Sequence, residues 1–282
     1  MTFELGILLA FGCALATQLG FLYKHRGANE APQVDIRHPL RTVKGLFSSK
    51  WFALGMAVAL GAWILHVAAL VFAPLSVVQA VLSTGVVMLA VMAERLFGFK
   101  VTAKQWWGVG LTALGLVLLV VTLPHAPGAH SNYSVPAMIA FEAGMLALGF
   151  LFITGPRLGA PDHHHGVLLG AAAGILFGVS DVAIKALTGG DILSVWLGVA
   201  LLASIIAFYA SARGLQDGDA VPVIAATSTA ANVSCIAGGI IFFGDPMPGD
   251  TLGIVVQVVA FALVILASLL TPPPVRAAAA NA

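Results

Sequence analysis

Residues 51–72 read WFALGMAVALGAWILHVAALVF, and the only side chain among them that can carry a charge is His66. At 1.5 Å per residue this stretch makes a helix about 33 Å long, enough to cross a hydrocarbon core about 30 Å thick. Stretches of the same kind fill most of the chain. They give spans at 3–23, 51–72, 75–97, 105–123, 135–154, 166–188, 192–212, 220–243 and 251–270. The fold class expected is therefore an all-α integral membrane protein with nine transmembrane helices. Composition agrees: 60% of the residues are apolar and 9% charged, where soluble domains carry about 25% charge.

Alternating the connecting segments between two sides tests the count. One side collects Lys24, Arg26, Arg37, Arg41, Lys44, Lys50, Arg95, Lys100, Lys104, Arg157, Arg213 and Arg276. The other side collects only Lys185, so 12 of the 13 Lys and Arg share one face. One span more or fewer scrambles that split. The positive-inside rule then sets the amino terminus outside and the carboxyl terminus in the cytoplasm. A multi-pass protein of the plasma membrane is expected, with the lipid bilayer as its first partner.

Several classes are excluded. The net charge is +1 and no basic face lies outside the loops, so no nucleic-acid partner is expected. There is no HExxH zinc motif and no G-x-S-x-G nucleophile turn, so the chain reads as a non-enzyme, with no cofactor implied. Cys13 and Cys235 both fall inside spans and read as small apolar packing residues, not a disulfide. The head, Met1-Thr2-Phe3-Glu4, has an acid and no base, so span one reads as a retained helix, not a signal peptide. The triplet Asn132-Tyr133-Ser134 is weak evidence of glycosylation. The segment from Thr271 onward, with three prolines and an Ala-rich run, reads as disordered.

The chain resembles itself. A shift of about 145 residues brings Trp51 onto Trp196, Ser83-Thr84 onto Ser228-Thr229 and Gly108 onto Gly253. One residue more brings Leu96-Phe97-Gly98 onto Phe242-Phe243-Gly244. A shift of about 160 brings Gly6-Ile7-Leu8-Leu9 onto Gly166-Val167-Leu168-Leu169, and Lys24 to within one residue of Lys185. The long loop 24–50 has no counterpart after span six and accounts for the change of offset. The layout is 4+1+4: a first four-helix repeat over 1–124, a linker with the unmatched helix five over 125–165, a second repeat over 166–270, and a cytoplasmic tail over 271–282. Equivalent helices differ by five crossings, an odd number, so the halves run in opposite directions. Inverted repeats of this kind are a transporter signature, with the site at their interface near midplane. Inversion also explains why Lys185, the mate of cytoplasmic Lys24, lies on the far side.

Four segments carry a family resemblance. They are Tyr23-Lys24-His25-Arg26-Gly27 leaving span one and Ala73-Pro74-Leu75-Ser76-Val77-Val78-Gln79 entering span three. In span six there is Gly178-Val179-Ser180-Asp181-Val182-Ala183-Ile184-Lys185, and span eight closes on Ile240-Ile241-Phe242-Phe243-Gly244-Asp245. Together with the nine-span count they resemble the drug/metabolite transporter superfamily, and more closely its NIPA-like magnesium transporter branch, over roughly 3–270. The resemblance implies a transporter, and that branch is linked to magnesium uptake in eukaryotes. The chain departs from the family pattern in places. The acid that usually ends span three falls at Phe99. The early proline of that span is Ala80, and its repeat mate is Ala225.

Ionisable groups inside spans are costly and so functional by default. Counting at 1.5 Å per residue from the outer ends, His66 lies ~9 Å deep, Glu142 ~10 Å and Asp181 ~10 Å. Three groups at one depth in three helices are placed to form one site. Two carboxylates, Glu142 and Asp181, suit magnesium, which takes one or two carboxylates and keeps several waters. They equally suit protons that drive an antiporter. Replacing Glu142 by Gln is expected to abolish or uncouple transport. Against these readings, Asp181 and Lys185 stand i,i+4 and can neutralise one another. His66 also fits as a packing histidine, and Glu94-Arg95 as a local ion pair at a span end. A second polar set sits near midplane: Ser83 and Thr84, with Thr227, Ser228, Thr229, Asn232 and Ser234. Ser228 and Asn232 are favoured for the pathway, with Gln79 and Gln18 as secondary candidates; the same groups also suit helix–helix hydrogen bonds. His163-His164-His165 reads as an exposed loop, because adjacent residues make a poor tetrahedral metal site.

The leading expectation is thus an alternating-access transporter of magnesium or another divalent cation. The alternatives are a proton-coupled exporter of small organic metabolites or drugs, and a non-transporting membrane receptor or assembly factor. A homodimer is one arrangement left open.

Overall fold

The computed structural model describes residues 2–97, 133–155, 164–188, 194–245 and 248–269, with scattered positions between 103 and 122. Every regular element among the described residues is a helix. In chain order they are α1 (Thr2–Glu30), α2 (Pro39–Phe47), α3 (Lys50–Phe72), α4 (Leu75–Ser83), α5 (Gly85–Phe97), α6 (Val135–Thr154), α7 (His165–Thr188), α8 (Val195–Asp217), α9 (Ala220–Phe242) and α10 (Thr251–Leu269). Six of these, α1, α3, α6, α7, α8 and α9, are long and apolar enough to cross a membrane. They cover expected spans one, two, five, six, seven and eight. The helix α10 covers the ninth. The fourth, 105–123, falls mostly outside the described residues, as do His163, Asn132 and the tail 271–282.

Two boundaries differ from expectation, each for a local reason. Helix α1 runs seven residues past 23, because polar contacts one turn apart continue it: Asn29 Nδ2 donates to the His25 carbonyl at 3.0 Å, and Arg26 pairs with Glu30 at 3.8 Å. Span three is not one helix but two, divided at Thr84. The Ser83 hydroxyl donates to the Gln79 carbonyl at 2.9 Å and the Thr84 hydroxyl to the Val81 carbonyl at 2.6 Å. The Thr84 N–H also bonds three residues back, to Val81, at 3.0 Å. Side-chain bonds of this kind compete with the regular ladder and bend the helix.

Other ends follow from the sequence. Pro74 lacks an N–H and forces Ala73 into an extended conformation (φ −138°, ψ 154°), which ends α3. The chain leaves α8 at Gly218 (φ −140°, ψ 166°), and Asp219, still extended, is the N-cap of α9. Gly244 turns the chain after α9 with φ 62°, a conformation glycine adopts without strain.

Helix α7 is the hub. It carries Gly166, Gly170, Gly174 and Gly178 at four-residue spacing, a single stripe along one face. A Cβ at Gly170 would stand 2.8 Å from the Val223 carbonyl oxygen, and one at Gly174 would overlap the backbone of Thr227. The stripe therefore lets α7 and α9 meet backbone to backbone, as small residues do between membrane helices. Helix α1 packs most extensively on α3, and α7 on α8 and α9. Large apolar side chains such as Leu8, Leu60, Phe150 and Leu202 are 60% or more exposed. In water this would be an aggregation liability; around a bilayer protein it is the lipid-facing belt.

Candidate functional site

A cavity of about 340 Å³ lies among α1, α3, α4, α7, α8 and α9. Helix α1 gives it one face, Cys13, Thr17, Phe21 and Lys24, at the spacing of successive turns. Cys13 to Lys24 is eleven residues, so the cavity runs about 16 Å along the helix. Helix α3 adds Phe52, Met56, Ala59, Trp63 and His66, again one stripe. The opposite wall is Phe177 and Asp181 from α7, Ser204, Phe208, Ser211 and Leu215 from α8, and Thr227, Ser228 and Asn232 from α9.

The polar groups converge at one end. His66 Nε2 lies 3.4 Å from Asp181 Oδ1, close enough for an ion pair but not aligned as a hydrogen bond. The other Asp181 oxygen accepts from the Cys235 thiol at 3.6 Å. Gln18 Nε2 donates to the Ser228 hydroxyl at 3.1 Å, joining α1 to α9 across the cavity. This leaves Gln18 Oε1 and Gln79 Nε2 buried without a protein partner. Buried polar atoms are normally paired, at a cost of about 1–3 kcal/mol when they are not, so these atoms are available to a ligand or its water. At the opposite end Lys24 Nζ rests over the Phe21 ring, 3.8 Å from its centre. Aromatic rings of Phe21, Phe52, Phe177 and Phe208 line the stretch between.

Of the residues expected from sequence, His66, Asp181, Gln18, Gln79, Thr227, Ser228 and Asn232 line this one cavity. The others lie elsewhere. Ser83 and Thr84 spend their hydroxyls on their own helix. Lys185 sits one turn beyond Asp181, fully buried, and donates to the Leu70 carbonyl at 3.0 Å. Glu142 is 4% exposed on α6, and neither carboxyl oxygen has a hydrogen-bond partner. It is not part of the cavity wall, so Glu142 and Asp181 do not share that space. Among the described residues no cluster of three or more His, Cys, Asp or Glu gathers to hold a metal. Near the His tract, His165 Nδ1 approaches Asp217 at 4.0 Å, and Arg213 holds the same carboxylate at 2.6 Å.

Sequence reasoning missed Lys24, Cys13, Thr17, Trp63, Ser204, Ser211 and the aromatic walls. Lys24 was hidden because a lysine at a span end counts toward the charge rule. A signal for the rest existed in the internal offset: His66 and Ser211, 145 residues apart, both line the cavity.

No protein-family model matches the chain, and no solved structure matches it. It is 21% identical over 283 aligned residues to a probable magnesium transporter of Arabidopsis thaliana, NIPA9, covering 92% of this chain and 79% of the relative. It is 27% identical over 185 residues to an uncharacterised protein of Corynebacterium glutamicum, covering 64% of this chain and 62% of that relative. The apolar helices support a multi-pass membrane protein, and the similarity along nearly the whole chain, weak as it is in identity, supports a membrane transporter related to the NIPA-like branch.

Proposed function

We propose that the chain is an alternating-access carrier of the plasma membrane, with nine spans, the amino terminus outside, and two inverted halves whose interface is the cavity at Asp181. The observation that carries this reading is where the cavity draws its walls. At the offset of about 145, Ala59 pairs with Ser204, Trp63 with Phe208, His66 with Ser211 and Leu82 with Thr227, and every one of these residues lines it. At the offset of about 160, Thr17 pairs with Phe177 and Phe21 with Asp181, and these line it too. A shared site at the interface of inverted halves takes equivalent positions from each. The matched packing of α1 on α3 and of α7 on α8 supports the same division.

The substrate proposed is magnesium, moved with much of its water shell. Magnesium dehydrates reluctantly and is held by one or two carboxylates and several waters. Asp181 supplies the carboxylate. Gln18, Gln79, Asn232 and Ser228 supply amides and a hydroxyl suited to bound water. The magnesium assigned to the Arabidopsis relative supports this choice. A second reading, a small organic solute, is favoured by the aromatic walls and by Lys24 facing Asp181 along the cavity. A solute with an apolar body and charged ends would match that arrangement.

Flux into proteoliposomes separates the two. Purified protein is reconstituted with a magnesium-sensitive dye inside, and a magnesium gradient is imposed. Magnesium entry that is lost in Asp181→Asn is the expected result. Folded, inserted protein with no magnesium flux would overturn the cation reading, and uptake of labelled zwitterionic solutes under a proton gradient would then support the organic one.

A further inference from the structure

The cavity ends on two contacts stacked one helical turn apart. His66 meets Asp181, and four residues further along each helix Leu70 meets Lys185. The second contact is a lock. Lys185, with no exposed surface, donates to the Leu70 carbonyl at 3.0 Å. That carbonyl has no helical partner, because the residue four places ahead is Pro74, which lacks an N–H. It also lies at the negative end of α3, where a cation is favoured. Asp245, 3% exposed after α9, accepts from the Ser76 N–H at 2.6 Å, and its charge acts on Lys185. The lock therefore ties α7 and the end of α9 to the α3–α4 junction, across the boundary between the halves.

The same parts occur again at the other end of the cavity. Lys24 is the repeat mate of Lys185. Adding the offset of 145 to 70 gives 215, and position 215 is also a leucine. Leu70 stands two residues before the end of α3 (Lys50–Phe72), and Leu215 two before the end of α8 (Val195–Asp217). Four places ahead of Leu215 is Asp219, beyond the end of α8 and the N-cap of the next helix, so the Leu215 carbonyl lies among the orphan acceptors of a helix end. Lys24 and Leu215 both line the cavity. Here, however, the ammonium lies over the Phe21 ring at 3.8 Å.

We propose that the Leu215 carbonyl is the acceptor of Lys24 in the alternate state, so that two lysine locks close the cavity in turn, Lys185 on Leu70 and Lys24 on Leu215. The inference rests on the inverted-repeat, alternating-access reading above. The present structure has the Lys185 lock made. The position equivalent to Asp245 is Phe99, so the Lys24 lock has no matching acid and is the weaker of the two. The resting protein is then closed on its Lys185 face.

Cys13, which lines the cavity, reports the open side. In a Cys235→Ala background, a charged, membrane-impermeant thiol reagent is applied to each face of oriented vesicles holding the full chain, and the rate of Cys13 modification is read from each. Lys185→Met is expected to raise modification from the Lys185 face several-fold, while Lys185→Arg, which keeps the cation and donor, retains the parent pattern. Lys24→Met is expected to shift modification the opposite way, toward the Lys24 face. Lys24 is half-buried, and its variant carries the test alone if Lys185→Met does not fold. An unchanged ratio in Lys24→Met, with modification seen from both faces, would overturn the lock pairing while sparing alternation. Modification from one face only in every variant, with flux retained, would overturn alternation and the locks together.

Discussion

Helices α6 and α7 each carry one acid at the same expected depth, Glu142 buried and Asp181 partly exposed to the cavity, in opposite settings. In α7, 67% of the apolar window is buried, and its glycine stripe is pressed onto α9; in α6 the buried share is 17%. A Cβ at Gly174 of α7 would overlap Thr227, whereas one at Gly144 of α6 meets nothing within 4 Å. Asp181 on α7 faces the cavity with His66 beside it and a thiol hydrogen bond behind. Glu142 on α6 is buried, does not line the cavity and has no hydrogen bond. Equal depth therefore does not mean equal surroundings. What separates the two acids is the rotation and centrality of the helix that carries each.

The sharpest way to break this contrast is Gly174→Val. The side chain has to force α7 off α9, at a cost of at least about 1–3 kcal/mol, and folded yield and flux should both collapse. A variant that melts like the parent in detergent would show that the two helices are not packed as described. Gly144→Ala is the paired control and should melt within about 0.5 kcal/mol of the parent.

Next in size is Asp181→Asn, which keeps the shape and removes the charge. Its initial rate of flux should fall at least about tenfold, a difference of about 1.4 kcal/mol. His66→Ala should lower thermal stability by about 1–3 kcal/mol, because it leaves the Asp181 carboxylate without the imidazole beside it. A melting temperature equal to the parent's would mean that the 3.4 Å contact contributes nothing. The smallest effect belongs to Glu142→Leu. With no hydrogen bond to lose, an apolar side chain of similar size should leave stability equal or slightly raised. Flux lost in that variant, with the protein folded, would erase the distinction between the two acids.

The sequence was a good guide wherever length and apolar content decide the outcome. Stretch 51–72 is α3, 166–188 is α7 and 220–243 is α9, each within a residue or so. Pro74 and Gly218 mark ends that follow from backbone chemistry. Span three misled because Ser83 and Thr84 bond their own carbonyls and divide it, an outcome set by rotamers, not by hydropathy. The site was half legible. Asp181, His66, Gln18, Gln79, Ser228 and Asn232 announce themselves as polar groups in apolar helices. Glu142 announces itself equally, and nothing in α6 fixes which way it turns. Phe21, Phe52, Phe177 and Phe208 look the same in sequence as lipid-facing Phe150; only packing tells them apart. Spacing pairs Lys185 with Asp181, yet it reaches across to the Leu70 carbonyl, which Pro74 leaves open.

The most direct test asks whether substrate occupies the cavity at Asp181. The rate of Cys13 modification is measured with and without saturating magnesium, in a Cys235→Ala background and again with Asp181→Asn added. Occupancy of the site predicts that magnesium slows modification of Cys13 and that Asp181→Asn removes the protection. Modification at the same rate with and without magnesium, in protein that still transports it, would place the substrate elsewhere and contradict the account.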